Sequence, residues 1–221
     1  MKQLADGVWQ LSGLPPNAIN VYLVEDVLVD AATRLAARRI LRQLDGRQVS
    51  AHVLTHAHPD HQGASHTVCE RLGIPLWCGE GEADVVERPE LVKEREPGAK
   101  INNLIWRLGA GPAHPVARRL SEGDDVAGFK VLDVPGHSAG HIALWRESDR
   151  VLIAGDVLIS MNLITTVPGL DEPPTRFTPD PARNRESIKR IAALEPRLAC
   201  FGHGPPWRDT AKLTQFASGL S

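Results

Sequence analysis

Short apolar runs separated by polar turns open the chain, and runs of this length favour strands over helices. The first three are residues 8–12, 19–24 and 27–30. The polar pair Glu25-Asp26 separates the last two runs, and its position predicts a hairpin turn. The chain is therefore expected to begin with three short strands, of which the second and third form a hairpin.

The spacing of apolar residues changes after Thr33, a residue type that commonly caps the start of a helix. Ala37, Ile40, Leu41 and Leu44 then recur at intervals of three and four residues. This spacing places the four side chains on one face of a helix. We expect that face to pack on a sheet.

Strand-like and helix-like stretches alternate through much of the remaining chain. Residues 51–55 predict a buried strand, and residues 62–72 predict a helix that Gly73 closes before a strand at 74–78. The second half mirrors this order, with strands at 129–134, 141–145, 151–154 and 198–201 and helices at 180–194 and 209–217. Two such halves facing each other predict an α/β fold, an αβ/βα sandwich of four layers in which two central mixed β-sheets are flanked by helices.

Length and composition favour one domain over residues 1–221. A chain of 24.1 kDa is large enough for one well-buried core and small for two. No apolar run approaches the ~18 residues of a membrane helix, and a net charge of -2 offers no basic surface for nucleic acid. The start of the chain lacks the continuous apolar segment of a secretory signal, so we expect a cytoplasmic protein.

The densest chemistry in the chain lies directly after the buried strand predicted in the first half. His56, His58, Asp60 and His61 fall in one short turn, where buried imidazoles and carboxylates are costly unless they are paired or bind a metal. His56 and His58 leave the strand on the same side and can bind one ion. Pro59 then turns the chain and directs the next two groups to a second point. A histidine-rich surface turn is the alternative.

Three later strand-like runs each end in glycine and one side chain that can bind a metal. These side chains are His137, Asp156 and His203. Any one of these pairs alone is more often an ordinary turn. Together with the first motif they indicate a metal site whose ligands come from distant parts of the chain.

The ordered set of these residues resembles that of the metallo-β-lactamase fold superfamily, and the likeness covers nearly the whole chain. The set is His56-x-His58-x-Asp60-His61, followed by His137, Asp156 and His203. The turn at 136–141, Gly-His-Ser-Ala-Gly-His, is most similar to the glyoxalase II-like branch of that superfamily.

The resemblance implies a dinuclear centre. Its first ion would be bound by His56, His58 and His137. Its second ion would be bound by Asp60, His61 and His203. Asp156 and a hydroxide would bridge the ions, which are expected to be zinc, with iron or manganese as alternatives because mixed shells of this kind discriminate poorly.

Such a centre implies a metal-dependent hydrolase that cleaves an ester, thioester, lactone or amide bond of a small molecule. Asp60 would accept a hydrogen bond from the hydroxide and orient it, and Asp156 would hold it in place. The alternative is a persulfide dioxygenase of the same superfamily, which uses one iron at the first site. A β-lactamase and a binding protein without catalytic activity are further alternatives.

Other residues are predicted to support the site or to stand apart from it. Asp30 is either a carboxylate at the start of the next helix or a hydrogen-bond acceptor that orients the turn at 56–61, called the metal turn below, and the resemblance favours the acceptor. His141 is predicted to be a supporting residue that does not bind metal. His52, His66 and His114 are predicted to be ordinary structural histidines.

Two loops are candidates for substrate contacts. Leu14 and Asn17 lie in an early loop, although a plain connection fits its composition equally well. Met161 and Leu163 lie in the apolar part of the loop that follows Asp156, and packing beneath the rim is the alternative there.

Residues 79–128 break the alternation of strands and helices. Glutamates alternate with basic residues and prolines, and the longest strand-like run is 103–108. The distance from His61 to His137 exceeds what one crossover needs, so an insertion is predicted that covers the site as a lid or forms the face of a homodimer. An ordinary pair of surface helices is the alternative.

Overall fold

The first sheet contains seven strands, which follow one another in chain order across the sheet. The computed structural model describes residues 1–91 and 108–221. The strands are β1 (Lys2–Ala5), β2 (Val8–Gln10), β3 (Tyr22–Val24), β4 (Val27–Val29), β5 (Ala51–Leu54), β6 (Leu76–Gly79) and β7 (Val116–Leu120). β1 to β4 pair antiparallel and β4 to β7 pair parallel. The hairpin predicted at Glu25-Asp26 is confirmed between β3 and β4.

The second sheet contains five strands in the order β14-β11-β10-β9-β8. They are β8 (Asp125–Val126), β9 (Phe129–Asp133), β10 (Ile142–Arg146), β11 (Val151–Gly155) and β14 (Leu198–Phe201). β14 pairs parallel with β11, and the other pairs are antiparallel. A separate two-stranded sheet, β12 (Ile159–Met161) with β13 (Pro168–Asp171), lies in the loop that follows β11.

Six helices have bounds that bear on the site. They are α1 (Ala37–Leu44), α2 (Pro59–Gln62), α3 (Ser65–Leu72), α4 (Ala83–Glu87), α5 (Pro181–Ala193) and α6 (Thr210–Ser218). Asp180 caps the start of α5, because its side chain accepts a hydrogen bond from the backbone N–H of Arg183. Within the described residues, no helix has both the length and the apolar character needed to cross a membrane.

Three apolar layers hold the two sheets and their helices together. Between the sheets, side chains such as Val53 and Phe129 are buried in one shared core. On the outer face of the first sheet, Leu28 packs with residues of α1 and α3, and on the outer face of the second sheet, Leu152 packs with α5 and α6. The predicted αβ/βα sandwich, with two central sheets flanked by helices, is therefore confirmed.

β5 shows how the strand period positions the site. Ala51 and Val53 face the other sheet, whereas His52 and Leu54 face the helices. His52 is satisfied in the core, because its ring nitrogens contact the backbone O of Leu28 at 3.1 Å and Oγ of Ser65 at 2.8 Å. The prediction that it is a structural histidine is confirmed.

The helix predicted at 62–72 is α3, which begins at Ser65, and the short helix α2 precedes it. Gly63 lies between them, and a Cβ at this position would collide with the backbone of Gly109 and of Arg34. The chain therefore needs glycine where these backbones approach. Pro59 at the first position of α2 fits the helix start that the metal turn requires.

The segment 79–128 contributes to both sheets in its described part. Its strand β7 closes the edge of the first sheet and β8 opens the second, and the sequence pattern predicted neither. The run predicted at 103–108 falls mainly outside the described residues. Whether this segment forms a lid or a dimer face stays a prediction.

Candidate metal centre

The turn after β5 places two imidazoles side by side. His56 is fully buried and His58 nearly so, and Nε2 of His56 lies 3.0 Å from Nδ1 of His58. His58 has extended backbone angles and directly precedes α2. The two rings therefore leave the strand end on the same side, as their spacing predicted.

His137 joins this pair from the turn after β9. Its Nε2 lies 2.9 Å from Nδ1 of His58. Its Nδ1 lies 3.1 Å from Oγ1 of Thr178, and that hydroxyl donates its proton to the backbone O of Pro174. The Nδ1 of His137 must then be the donor, which leaves the lone pair on Nε2 pointing at the other two histidines.

Asp60, His61 and His203 form a second group of side chains beside the first. Oδ2 of Asp60 lies 3.2 Å from Nε2 of His203 and 4.0 Å from Nε2 of His61. The Nδ1 of His203 donates to the backbone O of Ala18, which turns its Nε2 toward the carboxylate. The structure thus brings together residues from the first metal turn and from the loop after β14.

Asp156 lies between the two groups. Its Oδ2 is 3.1 Å from Nε2 of His203, 3.4 Å from Nε2 of His61 and 3.7 Å from Nε2 of His137. The side chain leaves the end of β11 next to Gly202, where a Cβ would collide with the Asp156 carboxylate and the His61 ring. Glycine at 202 is therefore required for the close approach of the two strand ends.

Asp30 orients the metal turn from the end of β4. Its carboxylate accepts hydrogen bonds from the backbone N–H of Thr55 at 2.8 Å and from the Thr55 hydroxyl at 2.9 Å. Its Oδ2 also accepts from Nδ1 of His61 at 2.8 Å. The predicted role of Asp30 is confirmed, because these contacts fix the His61 ring with Nε2 toward the centre.

His141 supports the site without joining either group. The backbone N–H of Asp156 donates to its Nε2 at 3.2 Å, and its ring packs edge-on against His56 with centroids 4.7 Å apart. Among the described residues, His141 belongs to none of the side-chain clusters that are close enough to share a metal ion. The prediction that it is a supporting residue is confirmed.

Glu82 joins the two ligand-bearing turns and was missed by sequence reasoning. This buried side chain accepts from the backbone N–H of Ala57 at 3.0 Å with one oxygen and from that of Gly140 at 2.7 Å with the other. One carboxylate therefore fixes the turn that carries His56 and His58 against the turn that carries His137. Nothing in the sequence separated Glu82 from the glutamates around it.

Burial and neighbouring charges shift the titration of the two groups in opposite directions. Burial, followed by the surrounding imidazoles, lowers the pKa of His56 and of His137 well below the usual value. Burial is the largest single influence on His61 and His203 and opposes their protonation, but the neighbouring carboxylates, Asp156 foremost, together outweigh it. They raise the pKa of His61 well above its usual range and that of His203 to about 10. The carboxylates thus favour positive charge at the second group, which a proton or a divalent ion can supply.

The arrangement of lone pairs fits a bound cation. The hydroxyl of Thr55 donates to Asp30, so it must accept from Nδ1 of His56, whose Nε2 then carries a lone pair. The Nε2 atoms of His56 and His137 both face Nδ1 of His58, which can donate to only one of them. A divalent ion would accept lone pairs from all three nitrogens.

Two buried atoms of the second group support the same conclusion. Nε2 of His61 and Oδ1 of Asp156 are buried and have no hydrogen-bond partner among the described residues. Unsatisfied buried polar atoms are rare unless they serve a ligand. Nitrogen and carboxylate donors in this mixture suit zinc, iron and manganese.

A cavity opens over the centre, and one of its walls is apolar. The wall is formed by Pro59, Ile159, Leu163, Pro174 and Phe177, and the floor by His58, Asp60, His137, Asp156 and His203. Leu163 thus lies where a substrate contact was predicted.

Met161, the other residue predicted to contact substrate in that loop, is only 5% exposed and is not among the lining residues described. It belongs to the core instead. In the early loop, Leu14 is 83% exposed, while Asn17 holds the loop by accepting from Nε2 of Gln10 at 3.1 Å.

Comparison with known proteins extends these observations. The sequence model of the metallo-beta-lactamase superfamily matches residues 14–203. A probable metallo-hydrolase of Bacillus subtilis strain 168, YflN, is 31% identical over 95% of this chain and 90% of its own length. A hydroxyacylglutathione hydrolase of Bdellovibrio bacteriovorus is 34% identical over 69% of this chain and 48% of its own length. The crystal structure of TTHA1623 in a di-iron-bound form has a TM-score of 0.66 and 32% identity, covering 87% of this chain and 91% of that chain.

Proposed function

This chain belongs to the metallo-beta-lactamase superfamily, and we propose that it is a hydrolase that uses two divalent ions to cleave an ester, thioester, lactone or amide bond of a small molecule. The observation that carries the proposal is the position of Asp156. Its Oδ2 lies within 3.7 Å of a ring nitrogen from each group of side chains. A carboxylate in that position is suited to bridge two ions.

The proposed division of ligands follows the two groups. His56, His58 and His137 would hold the first ion. Asp60, His61 and His203 would hold the second, and Asp156 would be shared. The di-iron form of TTHA1623 supports a centre of this kind in a protein of the same fold.

Bound at this centre, the two ions would supply Lewis acidity to the scissile carbonyl and make water a stronger acid. The chain itself supplies the orientation. Asp60 lines the cavity with 30% of its side chain exposed, so its carboxylate can accept a hydrogen bond from an attacking water and hold it in line with the carbonyl. A nucleophilic serine or cysteine is not required.

The apolar wall of the cavity favours an uncharged acyl group as substrate. Leu163 and Phe177 present hydrocarbon beside the centre, and the lining residues described include no lysine or arginine. Away from the ions, a carboxylate or phosphate on the substrate would meet no lysine or arginine among the described lining residues, whereas an alkyl chain would be removed from water. We therefore propose neutral esters, thioesters or lactones with an apolar acyl group.

Metal analysis combined with activity assays tests the proposal. Purified protein equilibrated with Zn²⁺, Mn²⁺ or Fe²⁺ is freed of unbound metal, its bound ions are counted per chain, and it is assayed on nitrophenyl esters, acyl thioesters and lactones. Two ions at this centre with hydrolysis that depends on both are expected. Asp156→Asn is a suitable variant for the count, because it keeps the shape of the side chain and removes the bridging charge.

The alternative with a different chemistry is a persulfide dioxygenase, with a single iron held by the first group. Oxygen uptake with glutathione persulfide, together with one bound iron and no ester hydrolysis, would replace the hydrolase proposal with that activity. If the fully loaded protein shows no oxygen uptake and hydrolyses none of these substrates, both the hydrolase and the dioxygenase proposals are wrong.

A further inference from the structure

His66, Glu70 and His114 form a third cluster of metal-competent side chains, built from other elements than the centre described above. His66 and Glu70 lie four residues apart on α3, and His114 lies just before β7. We propose that these three side chains form a separate site for one divalent transition-metal ion of the zinc class.

The distance between the two imidazoles matches a shared ion. Nδ1 of His66 lies 3.3 Å from Nδ1 of His114, and the ring planes stand at 78°. With zinc–nitrogen bonds of about 2.0–2.1 Å, two ligands of a tetrahedral ion are separated by roughly 3.3 Å. The rings therefore already stand at the spacing that a tetrahedral ion requires.

Glu70 supplies a third ligand on the same side. Residues four apart on a helix face the same direction, so its carboxylate extends along the surface of α3 toward the ring of His66. One ligand atom from each of the three residues lies within 4.8 Å of the others. Two histidines and one carboxylate are a common shell for zinc, with the fourth position left to water.

The surroundings of His114 favour a neutral ring that is held in place. His114 is only 8% exposed, and its backbone N–H donates to the backbone O of Val86 at 3.3 Å. Burial, followed by the adjacent His66, lowers the pKa of His114, so its ring carries no proton that would repel a cation at neutral pH. His66 is half-buried and Glu70 is exposed, so an ion can enter from solvent.

A bound ion would connect α3 to the chain entering β7. α3 packs behind the metal turn, where Cys69 and Ala57 share one apolar cluster, and β7 is an edge strand of the first sheet. The connection would stabilise that edge without contacting the seven residues of the hydrolytic centre. The expected effect of the ion is therefore on stability and metal content, and not on turnover.

Counting bound Zn²⁺ in the full chain tests this site independently of the hydrolytic centre. Wild type and His66→Ala are equilibrated with the same free Zn²⁺, freed of unbound metal and analysed. The variant is expected to bind one ion fewer than wild type, whatever the count at the centre, and to keep its ester hydrolysis. Because the prediction is a difference of one ion, it survives even if the centre proves mononuclear or inactive.

Glu70→Gln gives a second measurement at an exposed position where loss of folding is not expected. Its affinity for the additional Zn²⁺ should fall by at least the ~10-fold that loss of an outer hydrogen-bond partner of a metal ligand costs, whereas Glu186→Gln on the surface of α5 should leave it unchanged. Zn²⁺ should also raise the melting temperature of wild type more than that of either α3 variant. Equal Zn²⁺ counts and affinities in wild type and both α3 variants would show that His66 and His114 share only a hydrogen bond, and the proposal would be wrong.

Discussion

Nδ1 of His61 lies 2.8 Å from Oδ2 of Asp30, and this contact orients a metal-competent ring from the end of β4. Asp30→Asn keeps the size of the side chain and removes the negative charge. We expect the affinity for the second ion to fall by about 10- to 100-fold, while the affinity for the first ion changes little. Competition titration with a chromophoric chelator would measure both.

Asp26→Asn, in the hairpin turn of the same sheet, is the control for the charge change. If Asp30→Asn lowers the affinity for both ions equally, its effect passes through Thr55 and the whole turn. The specific role given to the His61 contact is then wrong.

Asp156→Ala and His141→Ala should differ strongly in severity. Asp156 lies between both groups, so its loss should reduce kcat/KM by about a thousandfold or more with little loss of secondary structure. His141 only accepts a hydrogen bond from the Asp156 backbone, so its loss should cost about 10- to 100-fold. Steady-state kinetics on one ester decides, and equal losses would contradict the roles given to the two residues.

Glu82→Gln should weaken metal binding although Glu82 itself is not a proposed ligand. The amide would direct an N–H group at a backbone N–H of Ala57 or Gly140, leaving a buried donor without a partner at a cost of about 1–3 kcal/mol. We expect lower unfolding free energy and weaker binding of the first ion, measured by denaturant titration and chelator competition. Glu80→Gln, at an exposed position two residues earlier, should change neither. A variant with normal metal affinity but reduced stability would limit Glu82 to a purely structural role.

Leu163→Ala should alter which acyl chains are preferred. Leu163 lines the cavity, and removing its side chain should change the ratio of kcat/KM between short and long acyl esters by about tenfold, or ~1.4 kcal/mol. Met161→Ala is the matched control from the same loop, and it should lower stability and leave the ratio unchanged because Met161 is buried. The reverse pattern would place the substrate wall elsewhere.

His52 should make stability depend on pH through a group far from solvent. Burial lowers its pKa from 6.5 to about 4 in the folded chain, so the unfolded chain binds the proton first as pH falls. The contribution of His52 is complete above about pH 6.5 and is lost progressively toward pH 4, by about 3 kcal/mol in total. His52→Gln should therefore show a weaker fall in unfolding free energy between pH 7 and pH 5 than wild type.

Histidines of the metal centre titrate in both proteins of that comparison, so the difference between the two curves reports His52 alone. Parallel curves would mean that the ring is protonated in the folded protein despite its burial.

Local patterns were sufficient for the parts of the site that lie within one turn. The spacing of His56 and His58 and the break at Pro59 predicted two directions of ligands, and the structure has the same two groups. The αβ/βα order followed from strand-like and helix-like runs of ordinary length. In these cases the residues that form the sequence pattern are the same neighbouring residues that determine the local structure.

Long-range relationships were beyond such patterns. Glu82 contacts Gly140 across 58 positions, and nothing near Glu82 in the sequence marks that partner. β7 is an edge strand that carries two charged residues, the half-buried Arg118 and the exposed Arg119, and so resembled a loop. The hairpin of β12 and β13 was not predicted, because its two strands are only three and four residues long and the sequence pattern there indicates one loop.

The loop that carries His203 is held by the beginning of the chain. The amide of Asn20 donates to the backbone O of Phe201 and of Gly204, the latter 184 positions away, and the hydroxyl of Tyr22 also donates to Phe201. During synthesis the metal turn therefore emerges long before β14 and the loop that carries His203. Until that loop docks, the set of metal-competent side chains is incomplete. Contacts between residues so far apart in the sequence form slowly. Metal binding should therefore accompany the last step of folding, and it should report whether the two halves of the chain have docked.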